Sequence, residues 1–281
     1  MGISPSSHET LMSSNKCVCC NRSYWILFER EHFSHGACRW AFRGTYNGDG
    51  KHGGSKCVAK VFKAKVARHY NNWVPDLAAS EQAQRMAKSF NKEHPTSRPI
   101  QFITPLICKM DKIGDHGGFL WIRDEDERYV KKQEWVAVEP FIDGEYKKFN
   151  SNSGAVLEWS EALAAFSHYT YNASDRELIV CDLQGVRARN YYSLTDPAIC
   201  SRDQIYGPTD MGATGISQFF EKHRCTQICK YFAKPEIDNS YIVKGLQPKR
   251  SSSYTFELTR VQSTANRDFK NRKTLPAISE F

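Results

Sequence analysis

The chain has 281 residues, of which 40% are hydrophobic, 12% aromatic and 25% charged. This composition excludes a wholly disordered chain and allows one large domain or two lobes with a sizeable core. No apolar run reaches the roughly 18 residues that a membrane helix needs, and no motif of basic and aromatic residues indicates nucleic-acid binding. We therefore expect a globular protein that binds neither a membrane nor a nucleic acid.

Charge and cysteine content bear on the chain ends and on the compartment. The formal net charge is +8, and residues 241–281 hold eight Lys/Arg against three Asp/Glu. We interpret residues 237–281 as a basic polar tail that is either solvated or docks on an acidic partner. Residues 1–30 contain no apolar stretch typical of a secretory signal, so we expect a cytoplasmic chain whose ten cysteines are reduced thiols or metal ligands.

A β-hairpin is predicted near the start of the structured part. Residues 39–46 alternate in part between apolar and polar side chains, and residues 57–62 form a short apolar run that carries Lys60. The glycine-rich segment between them favours a turn. A lysine that alternates with apolar neighbours on a strand points away from them, so we expect Lys60 to face a cleft.

A helix and further strands follow in the same half. Apolar residues recur at helical spacing over residues 77–90, and Asp76 after Pro75 is the predicted N-cap. Further strands are predicted at residues 100–109, 118–123 and 135–140. The order of a strand pair, a helix and more antiparallel strands is typical of an α+β fold.

The second half has a different pattern. Residues 155–171 are predicted to be helical, and residues 178–181 form a short buried strand that ends in Asp182. Residues 191–208 are predicted to be mainly loop, and residues 215–232 a last helix. We place the boundary between two lobes near Glu139, with lobes at 31–138 and 139–236.

Four residues form a candidate zinc site. His223, Cys225 and Cys229 lie within seven residues, and on a helix the two cysteines would share one face. A structural zinc needs four N or S ligands, and His168 is the best fourth candidate. The alternative is a pair of buried core cysteines and a core histidine.

A weaker candidate metal site lies at the N-terminus. Cys17, Cys19 and Cys20 could combine with His32 or His35, although their spacing is irregular. The alternative is a set of free thiols in a loose extension.

A second constellation has the chemistry of phosphoryl transfer, which requires a cation on the phosphates, oxygen ligands for magnesium and a group that orients the nucleophile. Lys60 suits the first role, and Asp182, Gln184 and Asp196 suit the other two. The glycine-rich residues 207–215 open the last predicted helix and offer backbone amides to a phosphate or a substrate backbone. The alternatives are an exposed strand lysine, an aspartate that caps a turn and ordinary turn glycines.

Seven blocks, in this order, resemble the alpha-kinase family of atypical protein kinases. They are Gly36-Ala37-Cys38-Arg39, Val58-Ala59-Lys60, Asp76 with Phe90-Asn91, Glu139-Pro140-Phe141 with residues 144–150, Phe166-Ser167-His168, Asp182-Leu183-Gln184-Gly185 with Thr195-Asp196-Pro197, and residues 207–212 with His223, Cys225 and Cys229. The resemblance implies a two-lobed, protein-kinase-like α+β fold with ATP in the cleft and a zinc-stabilised C-terminal lobe.

The resemblance also implies roles for individual residues and an activity. Catalytic roles fall to Asp182, Asp196 and Lys60. Nucleotide contacts fall to Lys60, Arg39, Glu139 at the hinge, Gly36, Gln184 and Asp76. Magnesium would face Gln184 and Asp196, and zinc would be held by His168, His223, Cys225 and Cys229. The implied activity is ATP-dependent phosphorylation of serine or threonine in a protein substrate, and the alternative is a catalytically inactive kinase fold that acts as a binding module.

The sequence departs from the family pattern at three places. Thr209 and Asp210 stand where the family loop often has alanine and a small or amide residue, and residues 187–192 lengthen the segment before Asp196. The tip after the first strand is also unusually rich in glycine, at Gly48, Gly50, Gly53 and Gly54.

Overall fold

The computed structural model describes residues 9–14, 24–29, 32–47, 53–63, 66, 73–110, 112–113 and 134–235. Most of the described strands before residue 141 form one large sheet, in the order β7-β9-β5-β4-β2-β1-β8, with β3 paired to β4. These strands are β1 (Glu9–Ser14), β2 (Tyr24–Glu29), β3 (Ser34–His35), β4 (Arg39–Asn47), β5 (Lys56–Phe62), β7 (Leu106–Lys109), β8 (Lys112–Ile113) and β9 (Trp135–Pro140).

The hairpin predicted around Lys60 is confirmed. β4 and β5 pair antiparallel, with Ala41 opposite Lys60. On β5, Cys57, Ala59 and Val61 are buried in the core of the large sheet. Lys60 therefore emerges on the other face, because successive side chains of a strand point to opposite sides.

The remaining elements form a second, mixed layer. A four-stranded sheet has the order β10-β12-β13-β6, in which β6 and β13 run parallel, and β11 pairs with β14. The strands are β6 (Ile100–Phe102), β10 (Tyr146–Lys148), β11 (Leu178–Cys181), β12 (Gln184–Arg187), β13 (Tyr192–Thr195) and β14 (Ala198–Ser201). The helices of the described residues are α1 (Val74–Glu93), α2 (Glu161–Ala173) and α3 (Gly212–Lys222). Phe90 of α1 and Phe166 of α2 are fully buried in the core of this layer.

Two predicted helix starts are wrong. α1 begins at Val74 with Trp73 as its N-cap, so Asp76 lies in the first helical turn and does not cap it. α2 begins only at Glu161, because the Ser160 hydroxyl accepts a hydrogen bond from the backbone N–H of Leu163 and caps the helix there.

The segment predicted to be loop at residues 191–208 contains two buried strands, β13 and β14. The single strand predicted at 100–109 is two strands, and the strand at 135–140 is confirmed. The last helix ends at Lys222, since the backbone of His223 is already extended. The strand predicted at 118–123, the cluster of Cys17, Cys19 and Cys20, and the tail at 237–281 lie outside the described residues. Among the helices described, none has both the length and the apolar character needed to cross a bilayer.

Candidate active site and metal centre

Lys60 lies at the centre of a buried charged cluster. Its side chain is 9% exposed, and its ammonium contacts a carboxylate oxygen of Glu139 on the neighbouring strand β9. The same Nζ lies 2.5 Å from Asp196 Oδ2 and 3.2 Å from Thr195 Oγ1. These contacts join the large sheet to the end of β13, so the amine and an acidic group of the second layer face one another as predicted.

Arg39 extends this cluster towards α1. Its guanidinium contacts Asp76 in the first turn of α1 and donates to Asp196 Oδ1 at 2.7 Å. It also lies over the rings of Phe62 and Trp73, 5.9 Å and 5.5 Å from their centroids. Ion pairs and cation–π contacts together fix the orientation of this side chain.

A cavity opens beside the charged cluster. Its walls include Lys60, Asp76 and Asp196 together with Tyr206 and Thr209 from the chain between β14 and α3. The cavity therefore lies where residues of the large sheet, α1 and the second layer meet, which is the place expected for a nucleotide cleft.

Both candidate aspartates follow a strand and have left-handed backbones, with φ of 55° at Asp182 and 49° at Asp196. This conformation is uncommon outside glycine, although aspartate tolerates it better than most residues. Gln184 Nε2 donates to Asp182 Oδ2 at 3.0 Å and to the carbonyl of Asp196 at 3.3 Å. Lys148 on β10 places its Nζ 2.6 Å from Asp182 Oδ1. One amide thus links the two aspartates.

The surroundings shift the pKa values of the two aspartates in opposite directions. Burial raises the pKa of Asp182, although Lys148 opposes this. Burial also pushes the pKa of Asp196 upward, but Lys60 and Arg39 outweigh it and hold the net value below the usual range. Burial lowers the pKa of Lys60, and Asp196 offsets this only in part. Carboxyl groups whose pKa values differ in this way are suited to different tasks.

The structure gathers most of the predicted nucleotide residues and adds two. Gly36 is exposed in the turn before β4, where its N–H donates to the carbonyl of Arg39 at 3.0 Å, and its contact with a nucleotide stays a prediction. Glu139 points at Lys60, and the expected contact with adenine also stays a prediction. Sequence reasoning gave no role to Thr195 or Lys148. Thr195 could have been found because it directly precedes Asp196, and Lys148 because it alternates with its neighbours along β10.

The four predicted zinc ligands meet in space. The candidate ligand atoms of His168, His223, Cys225 and Cys229 all lie within 4.8 Å of one another. Cys225 Sγ is 3.7 Å from His168 Nδ1, and Cys229 Sγ is 3.6 Å from His223 Nε2. Zinc bonds of about 2.3 Å to sulfur and about 2.0 Å to nitrogen give a tetrahedral S–N edge of roughly 3.5 Å. The residues therefore fit a tetrahedral zinc ion.

The helical backbone predicted for residues 223–229 is wrong, although the four side chains meet as expected. His223, Cys225 and Cys229 follow α3 in a segment of turns, so the two cysteines do not share a helix face. A chain that turns back on itself can direct all three ligands at one point together with His168 of α2.

Groups around the cluster complete it. His168 Nε2 lies 2.9 Å from the carbonyl of Ala233, which requires a donating Nε2–H and leaves Nδ1 as a free acceptor. Cys229 Sγ accepts the N–H of Thr226 at 3.2 Å. Burial lowers the pKa of His168 and, with His168 nearby, lowers the pKa of His223 to about 4. Both imidazoles are thus held in the neutral form that binds metal.

Comparison with known proteins decides the family. The alpha-kinase family model matches residues 34–229, which include both the charged cleft and the His/Cys cluster. The chain belongs to the alpha-kinase family. This confirms the resemblance carried by the seven sequence blocks.

Relatives of this alpha-kinase chain include proteins from distant organisms. Alpha-protein kinase vwkA of Dictyostelium discoideum is 36% identical over 203 residues, which cover 70% of this chain and 29% of that protein. Human transient receptor potential cation channel subfamily M member 7 is 36% identical over 191 residues, which cover 64% of this chain and 9% of that protein. The chain therefore spans less than a third of the length of these relatives.

A solved structure supports the fold. The alpha-kinase domain of myosin heavy chain kinase A in complex with ADP superposes with a TM-score of 0.61 at 25% identity, covering 81% of this chain and 96% of that domain. The described part of this alpha-kinase chain thus has the same mixed helix and sheet architecture.

Proposed function

We propose that this chain transfers the γ-phosphoryl group of ATP to serine or threonine residues of a protein substrate. One observation carries the proposal: Lys60 of the large sheet lies 2.5 Å from Asp196 of the second layer, beside a cavity. An amine that neutralises phosphate charge beside acidic metal ligands is the arrangement that phosphoryl transfer requires. The solved complex of the myosin heavy chain kinase A domain with ADP supports a nucleotide in this cleft.

Within this proposal, Lys60 and Arg39 bind the phosphates, and Glu139 and Asp76 orient these two cations. Asp196 and Gln184 would hold magnesium, because Asp196 stays ionised at the edge of the cavity and the neighbouring Gln184 side chain also carries an oxygen. A magnesium ion there would neutralise charge on the phosphates.

Asp182 is the group that we assign to the acceptor hydroxyl. Its pKa is raised by burial, its side chain is 19% exposed, and Gln184 and Lys148 fix its carboxylate. A carboxylate with a raised pKa accepts a proton more readily than an ordinary aspartate. Asp182 therefore receives the hydroxyl proton while the hydroxyl oxygen attacks phosphorus and the bond to the leaving ADP breaks.

We further propose that His168, His223, Cys225 and Cys229 hold a structural zinc ion. The four ligands leave no open position for a reacting water, so the ion would stabilise the segment after α3 and take no part in the transfer. Gly36 remains a proposed nucleotide contact.

The proposals on organisation and location rest on the sequence. We propose lobes at residues 31–138 and 139–236, a cytoplasmic location, and an acidic docking partner for the basic residues 237–281.

The test is incubation with radiolabelled ATP, magnesium and a generic basic protein. We expect label on serine or threonine of the acceptor and its loss in Asp182→Ala. Asp203 is an exposed aspartate just after β14. Asp203→Ala is therefore the matched control and should keep full activity. Nucleotide binding without transfer in the wild type would instead indicate an inactive kinase-fold module, and phosphate release without labelled acceptor would indicate an ATPase.

A further inference from the structure

A single buried hydroxyl connects the two sheets at the cleft. Thr195 ends β13 and is 4% exposed. Its hydroxyl donates to Glu139 Oε2 on β9 and accepts from Lys60 Nζ on β5 at 3.2 Å. Since β5 and β9 are neighbouring strands of the large sheet, Lys60 and Glu139 form an ion pair within that sheet. Thr195 contacts both members of this pair from the four-stranded sheet.

The three N–H groups of Lys60 are matched by three oxygen acceptors. An ammonium has three donors, and Glu139, Thr195 and Asp196 each offer an oxygen to it. A phosphate oxygen that binds Lys60 must therefore replace one of these partners.

The burial of the three partners decides which one is replaced. The Glu139 side chain is 4% exposed and its second oxygen is held by Thr195, whereas the Asp196 side chain is 29% exposed and borders the cavity. A ligand that enters from the cavity reaches the contact with Asp196 first. Leaving the Glu139 carboxylate buried without its cation would cost far more than exchanging a partner at the rim.

We propose that Thr195 is a positioning residue that locks Glu139 and Lys60 into one unit, so that a nucleotide phosphate displaces Asp196 from Lys60 and leaves Glu139 in place. This inference rests on the proposed function and deepens it. The same exchange releases Asp196 from Lys60 just as a nucleotide arrives, which makes its carboxylate available at the cavity edge.

The test compares variants of two buried threonines by binding of an unreactive ATP analogue with magnesium and by kcat. Thr195→Val keeps the shape and removes the hydroxyl. We expect the affinity for the analogue to fall by about tenfold to a hundredfold, because two charged groups each lose a hydrogen bond. We also expect kcat to fall, and Thr195→Ser to restore both within about threefold.

Thr170→Val is the matched control. Thr170 is fully buried on α2, and its hydroxyl donates to the Ser167 carbonyl at 2.7 Å and accepts from the Val180 N–H at 2.9 Å, all outside the charged cluster. It should lower the melting temperature and leave the analogue affinity unchanged. Equal losses of affinity in the Thr195→Val and Thr170→Val proteins, or wild-type affinity and kcat in Thr195→Val, would overturn the inference.

A substitute is available if Thr195→Val does not fold. Thr195→Cys retains a side chain of similar size with a much weaker donor, and it should bind the analogue less tightly than Thr195→Ser does. Equal affinity of these two variants would contradict the inference. A wild-type chain that binds the analogue but transfers no phosphate would contradict the proposed function alone, since the affinity comparison remains decisive for Thr195.

Discussion

The charged cleft and the His/Cys cluster are two polar sites built for opposite purposes. In the cleft, Lys60 and Arg39 contact carboxylates, and the side chains of Asp182 and Asp196 are 19% and 29% exposed. In the His/Cys cluster, neutral imidazoles and thiols face one another, and a backbone carbonyl and a backbone amide satisfy the groups behind them. In the cleft, an incoming nucleotide can replace a carboxylate that contacts a cation. In the His/Cys cluster, a metal ion held by all four side chains would have no open coordination position.

The type of ligand that each site suits follows from the groups that surround it. In the cleft, the cationic side chains suit phosphate and the ionised carboxylates suit magnesium. Magnesium keeps several of its waters and can exchange its other ligands. Nitrogen and sulfur atoms at tetrahedral spacing suit zinc in a permanent role. Substitutions in either site therefore test this contrast.

The largest expected effect is on the cleft. Lys60→Ala should lower kcat/KM by at least about a hundredfold, because it removes the cation from the phosphates, while circular dichroism shows a retained fold. Lys56→Ala, at the exposed start of the same strand, should leave activity within about twofold. Unchanged turnover in Lys60→Ala would refute the assignment of the cleft.

Loss of a cluster ligand should act on stability instead. We expect about one zinc ion per wild-type chain, and Cys229→Ser should reduce this to near zero and lower the melting temperature, because metal binding contributes folding free energy. Cys108→Ser, at a buried cysteine of the other core, should keep its zinc. Mass spectrometry of metal content measures both, and a Cys229→Ser protein with full zinc would contradict the site.

Acid should affect the cluster strongly. The pKa of His223 is about 4 in the folded chain and about 6.5 when unfolded, so the unfolded chain binds more protons between these values. The stability of chelator-treated protein should therefore decrease as pH falls from about 6.5 to 4. Urea unfolding midpoints at both ends of this window test the sign, and a midpoint that rises on acidification would contradict it.

The smallest expected effect is on the acidic side of the curve of kcat against pH, here called the acid limb. Transfer should be lost as pH falls through the raised pKa of Asp182, since the ionised carboxylate accepts the proton. Lys148 lowers this pKa, so Lys148→Met should move the limb to higher pH. Lys147→Met, on the opposite face of β10 beside Glu158, should leave the limb in place. Identical limbs in the wild-type and Lys148→Met enzymes would argue against Asp182 as the proton acceptor.

The sequence was most informative where one strand face is buried and the other carries chemistry. The alternation around Lys60 predicted both β5 and the direction of its side chain, as the structure confirms. β13 and β14 were missed because every residue in each of them is buried, so no period of two is visible. Ser193 and Thr195 on β13 also resemble loop residues, yet both are buried.

Other features depend on tertiary context that periodicity does not report. The helix predicted at residues 155–171 included Val156 and Leu157, but these side chains are 49% and 60% exposed in the loop before Ser160. The His/Cys ligands were found from residue type and spacing, while the backbone of His223, Cys225 and Cys229 was mistaken for helix. The role of Thr195 requires knowledge that β5, β9 and β13 meet at one point, which only the three-dimensional structure provides.

The most direct test of the account is a crystal structure with an unreactive ATP analogue and manganese in place of magnesium. We expect an anomalous manganese peak beside Asp196 and Gln184, with Lys60 Nζ within hydrogen-bond distance of a phosphate oxygen. An analogue bound outside the cleft, or manganese remote from both side chains, would contradict it.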